Sequence, residues 1–228
     1  MKSQILAVIF VALLEQVSFA PACLAATGSN DSDNNFSLLK VQRAGELIET
    51  AQKYLAQNNF DEALRLLSEA ARLVPNHETP HVLMGNAYFN KQLISKAVEE
   101  YSAAIRLRPD QFLAYVNRGA AYSVLGQEAL ALLDLDKAIE MRSDHADSYF
   151  NRAYVYAKVG KMPEALQDFD SALQLKPSDI PSLRGRAQLL AALGRIKDAI
   201  DTYGRILILK PNDSAALQAL RQLSRFPQ

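Results

Sequence analysis

Side chains able to do acid–base, nucleophilic or metal chemistry are few in this sequence. Three histidines (His77, His81, His145) and one cysteine (Cys23) are its whole stock of imidazole and thiol. A metal held by such groups needs several of them converging, and only His77 and His81 stand close enough to share an ion across a turn. His77 and His145 hold equivalent places of a periodic pattern described below, and His81 holds another repeated place, so the pattern accounts for all three. One cysteine excludes an intramolecular disulfide and a cysteine cluster. Neither a nucleophile motif nor a phosphate-cradling glycine loop occurs. No cofactor, metal or catalytic activity is expected.

Arginine supplies the second chemical signal. Arg118, Arg152 and Arg186 recur at intervals of 34, as do Glu100, Asp134 and Asp168. One interval earlier both types vanish together, leaving Met84 and Leu66. A guanidinium taken out of water needs a partner. The pattern therefore predicts ion pairs between successive repeats: Glu100 with Arg118, Asp134 with Arg152 and Asp168 with Arg186, with Leu66 and Met84 as the apolar counterpart. Pairing within a repeat fits less well, because it sets Glu100 against Met84 and Arg186 against Thr202. The alternative is that the arginines grip an acidic ligand, but burial against the next repeat explains both presence and absence.

The same interval governs the elements that position these residues. Ala63, Ala97, Ala131, Ala165 and Ala199 are each 34 apart, and Leu67, Tyr101, Leu135, Phe169 and Tyr203 follow four places later. Tyr54, Tyr88, Tyr122, Tyr156 and Leu190 form another such series, as do Ala51, Gly85, Gly119, Ala153 and Ala187. Small residues let two helices approach, aromatics fill the space between them, and Pro75, Pro109, Pro177 and Pro211 end the units. Apolar spacings of three and four on both sides of a turn, marked by Gly126, Gly160 and Gly194, predict two antiparallel helices per unit. Such a pair cannot bury its apolar face alone and must stack on its neighbours. The predicted fold is all-α: an α-solenoid of five units at 44–77, 78–111, 112–145, 146–179 and 180–213, with a capping helix over 214–224.

Small residue, Tyr, Ala, aromatic, Ala and Pro at these spacings resemble the tetratricopeptide repeat family, over everything beyond residue 37. The family's tryptophan is replaced by Leu47, His81, Tyr115, Tyr149 and Leu183. The resemblance implies a right-handed superhelix whose concave groove, lined by the first helix of each unit, binds a protein or peptide. On that groove the implied partner-binding residues are Asn86, Phe89, Asn90, Val116, Asn117, Phe150, Asn151, Tyr154, Lys158, Arg184 and Gln188. Carboxamides there suit a peptide backbone and the aromatics suit its side chains, although the aromatics equally suit contacts between adjacent units. One subset of the family clamps a chaperone's C-terminal carboxylate. Here Asn86 and Asn117 match that clamp, but Val82, Asp147 and Asn151 replace its cations, so it is not expected. The implied role is a non-enzymatic scaffold: an envelope adaptor similar in layout to small repeat lipoproteins assisting pili or outer-membrane complexes, or an accessory subunit of a separate enzyme.

The N-terminus has a different character. Lys2 precedes an apolar run over 5–14 that Glu15 ends, and small residues follow around 20–26. That order predicts an export signal over 1–26, cut after Ala22 or Ala26, since the run is about half the ~20 residues a membrane-spanning helix needs. Cleavage after Ala22 makes Cys23 the first residue and open to lipidation, although Ala20 stands where a lipoprotein signal has leucine. Residues 27–37 are polar and turn-forming and read as a flexible linker. The expected location is periplasmic or otherwise extracytoplasmic, with membrane attachment only through lipidated Cys23 or an uncleaved leader. Twenty-five Lys and Arg balance twenty-five Asp and Glu, so no net field gathers nucleic acid.

Overall fold

The computed structural model describes residues 31–224, with side chains from Ser37 onward. The expected export signal, its cleavage sites and Cys23 lie outside the described residues. Within them the chain forms helices and no strand. In order these are α1 (Asp31–Ala56), α2 (Phe60–Leu73), α3 (Thr79–Asn90), α4 (Ile94–Leu107), α5 (Phe112–Val124), α6 (Glu128–Met141), α7 (Ala146–Lys158), α8 (Met162–Leu175), α9 (Ile180–Ala192), α10 (Ile196–Leu209) and α11 (Ser214–Leu223). They fall into two compact units that divide between Gly126 and Gln127.

In the N-terminal unit α1 pairs with α2 and α3 with α4, while α5 lies against α4. The fully buried side chains here include Ile48, Leu67, Val82, Phe89 and Tyr101, and Ala63, Ala70, Ala97 and Ala104 are fully covered where the helices touch. Gly85 is required by one of these contacts, because a Cβ there would enter the Tyr101 ring. The first helix corrects one expectation. α1 begins at Asp31, so residues 31–37 of the expected linker are helical. Polar composition argued for a loop, but once the turns around Ala44, Ile48 and Ala51 are fixed against α2, each residue added costs little and gains one hydrogen bond.

In the C-terminal unit α6 lies against α7, α7 pairs with α8 and α9 with α10, and α11 covers α10. Leu183, Leu190 and Ile206 fill one core with Tyr203, and Phe150 and Phe169 fill another. At Gly185 a side chain would come within 2.5 Å of the Phe169 ring. Asp179 and Asp213 cap α9 and α11 by accepting from the amides of Ser182 and Ala216 at 2.8 and 2.9 Å, which satisfies otherwise orphaned donors.

A left-handed residue recurs every 34 places in the links between helices, at Asn58, Gln92, Gly126, Gly160 and Gly194, with φ between 58° and 80°. Glycine adopts this conformation freely, asparagine tolerates it, and Gln92 holds it at a cost. At the far end of each pair a cation sits at the helix C-cap in all repeats after the first: Arg108, Arg142, Lys176 and Lys210. Positive charge there faces the uncancelled carbonyl ends.

Candidate functional site

The arginines build the most ordered polar feature. On α7, Arg152 Nε and Nη2 donate to the two carboxylate oxygens of Asp168 on α8 at 2.7 and 2.8 Å, and Nη1 donates to Asp136 on α6 at 2.7 Å. Tyr149 and Tyr156, one turn before and after, face the guanidinium at 5.8 and 5.6 Å, within cation–π range. The bonds to Asp168, with a smaller share from Asp136, hold Arg152 protonated beyond the already high range of arginine, against the opposing effect of burial. Arg186 repeats the arrangement from α9, with Nε donating to Asp170 at 2.6 Å and Nη1 to the Thr202 hydroxyl at 2.8 Å. Arg118 donates to Ser102 at 3.0 Å and lies 5.7 Å from both Tyr115 and Tyr122. Ahead of them, Met84 faces the Ser68 hydroxyl through sulfur at 3.7 Å.

This geometry corrects the expected pairs. Asp168 serves Arg152 of its own repeat rather than Arg186, and Arg186 takes Thr202 within its repeat and Asp170 from the preceding one. Arg152 draws on Asp136 of the preceding repeat where Asp134 was expected. Glu100 receives His81 at 2.7 Å, while Arg118 turns to Ser102. Helical rotation gives the reason: two residues correspond to about 200°, so places two apart on a helix face opposite sides. Glu100, Asp168 and Thr202 therefore look toward their own repeat, and Ser68, Ser102, Asp136 and Asp170 toward the next. The latter series and the flanking tyrosines also recur every 34 residues, a signal the reading of the arginines left unused.

The residues expected to line a groove divide into two groups. Phe89 and Val116 are 2% and 1% exposed, and Asn86, Asn117, Phe150 and Asn151 are also buried. In the N-terminal unit the amides bond to one another and to a tyrosine. Asn86 Oδ1 accepts from Tyr101 Oη at 2.8 Å and from Asn117 Nδ2 at 3.0 Å, and half-buried Asn90 donates to the Asn86 carbonyl at 2.8 Å. Burial pushes the Tyr101 hydroxyl well above its ordinary range, so it stays a donor. These side chains hold their unit together. The expectation that they offer open contact surface is corrected, because a residue serving as core filling is covered by its own fold.

The C-terminal unit keeps the accessible group. Tyr154 on α7 is half-buried, set edge-on to Phe150 and Phe169 with centroids 4.9 and 5.4 Å away. Burial pushes its hydroxyl up to about 12, opposed by Arg184. Lys158, one turn on, is exposed and lies 2.9 Å from Glu128, whose carboxyl it draws below the usual range. From α9, Arg184 donates to Asp213 at 3.0 Å, and Gln188 is exposed one turn later. Hydroxyl, ammonium, guanidinium and amide thus share the surface of the two first helices α7 and α9, which touch one another. The positions that fail the carboxylate clamp behave accordingly: Val82 is buried, and Asp147 faces Lys176 at 3.2 Å.

The histidines are spent on the repeat itself. Besides His81, His77 accepts from the Thr79 amide at 3.3 Å, and buried His145 meets the Ser148 hydroxyl at 2.9 Å. Among the described residues no group of three His, Cys, Asp or Glu side chains is placed to hold a metal. Nor is any described helix long and apolar enough to cross a membrane.

Helix pairs at a fixed interval, linked by left-handed turns and stitched by a repeating arginine contact, define a helical-hairpin repeat protein. The repeat itself is identified by family models: residues 85–126 match a TPR repeat and residues 146–179 a tetratricopeptide repeat. Solved structures of similar fold include YrrB, described as a TPR protein with an unusual peptide-binding site, at 21% identity and TM-score 0.63 over 85% of this chain and 100% of that one. The thermophilic TPR protein TTC0263 of Thermus thermophilus is 20% identical with TM-score 0.67, covering 80% of this chain and 100% of the other. Pseudomonas aeruginosa pilF is 18% identical with TM-score 0.74, covering 82% and 85%. No curated protein sequence matches significantly.

Proposed function

We propose that this chain is an exported, non-enzymatic scaffold that binds a peptide or helical segment of another protein on the α7–α9 surface. The observation carrying the reading is the set of Tyr154, Lys158, Arg184 and Gln188, which stay at the surface while most of the other expected contact residues are buried. Three of the four are held by a neighbour: Tyr154 by two phenylalanines, Lys158 by Glu128 and Arg184 by Asp213. Groups positioned before a ligand arrives lose less freedom on binding. A main chain offers carbonyls to the cations and both donors and acceptors to Gln188. YrrB, described by its peptide-binding site, shares the fold, which supports a peptide ligand. The leader read from the sequence supports an exported setting, in which assembly of an envelope complex is the role proposed.

Site-specific photo-crosslinking tests this in the native host. Probes at Lys158 and Gln188 should capture one common partner, and a probe at exposed Glu140 on α6 should not. Equal capture from all three positions contradicts the assignment.

A further inference from the structure

The outer stripe of α10 departs from the repeat in a way its own fold does not use. Lys197, Asp201, Arg205 and Ile208 are all exposed, and half-buried Gly204 lies between them on the helix. Ile208 is 81% exposed, whereas the earlier repeats place Arg72, Arg106, Glu140 and Gln174 at the equivalent position. Gly204 takes the place of Ser68, Ser102, Asp136 and Asp170, the residues that meet the following repeat. A side chain added at Gly204 would meet nothing within 4 Å, so no neighbour requires glycine there. Mid-helix glycine costs about 1 kcal/mol against alanine. An apolar knob one turn from an open notch, flanked by alternating charge, is a surface without a partner.

We infer that this stripe is a self-complementary interface at which a second copy of the chain docks α10 against α10, antiparallel about a two-fold axis near Gly204. The charge order selects this occupant. Reversing the helix about that axis sets Asp201 of each copy opposite Arg205 of the other, giving two reciprocal ion pairs, as an isologous contact demands. Gly204 lets the two backbones approach closely, and Ile208 lies along the aliphatic stem of the second copy's Lys197. A parallel arrangement sets like charges together and is disfavoured. Arg205 also donates to the Pro177 carbonyl at 3.3 Å, which steadies its guanidinium while leaving other N–H groups to donate.

Sedimentation equilibrium of the full chain tests the interface, with circular dichroism confirming that every variant keeps its helix content and melting. The wild type should dimerise. Ile208→Glu, Asp201→Arg and Arg205→Asp should each raise the dissociation constant about tenfold or more. The double variant Asp201→Arg with Arg205→Asp restores opposite charges and should recover the dimer. A monomeric wild type overturns the inference. So does a dimer indifferent to Ile208→Glu, or a double variant as weak as either single one.

Discussion

Arg152 concentrates the polar energetics of the repeat on one side chain. Asp168, which it bonds through two oxygens, is 5% exposed, so deleting the cation strands a buried carboxylate. Arg152→Ala should cost about 3–5 kcal/mol in urea-induced unfolding, whereas replacing Arg152 and Asp168 together by leucine should cost far less. Asp213 makes a complementary case in acid. Burial works against its charge, but the Ala216 amide, Arg184 and Lys210 outweigh that and hold its carboxyl below the usual range. Its stabilising contribution is therefore full above the ordinary carboxylate value and lost as pH falls through the depressed one. Asp213→Asn should narrow the difference in melting temperature between pH 7 and pH 3; an unchanged difference excludes Asp213 as a source of acid sensitivity.

Helix pairing was the most legible part of the sequence, because the alanines at 34-residue intervals are the fully covered points where helices meet. The arginine pairs were half legible. Co-occurrence of acid and arginine identified the participants, but sequence spacing alone did not reveal which flank of a helix faces which neighbour, and the partners moved by one helix. Groove residues were the least legible, since a place in a repeat does not say whether Asn86 or Phe89 ends as surface or filling. At this scale the left-handed links give a direct test. Gln92→Gly should raise stability by up to about 1 kcal/mol by removing left-handed strain, and Gly126→Ala should lower it by about 1 kcal/mol. Thermal melts of the two variants should shift in opposite directions.

Across the whole chain, the repeats carry little chemistry of their own and many specific contacts. Balanced charge gives no long-range pull toward a polyanion, so the binding proposed above is assigned to local groups on α7 and α9. Export is a separate property, proposed from the leader. A mass spectrum of the purified mature protein should begin at Cys23 or Thr27, with added lipid only in the first case; an intact Met1 contradicts cleavage. Binding is the central claim, and affinity capture from the native host measures it most directly. Wild type is compared with a variant carrying Lys158→Ala and Gln188→Ala, two exposed changes expected to leave folding intact. Loss of one specific partner from the variant, with its melting unchanged, is the predicted result. Recovery of the same partner in the same amount would contradict the assignment of the α7–α9 surface.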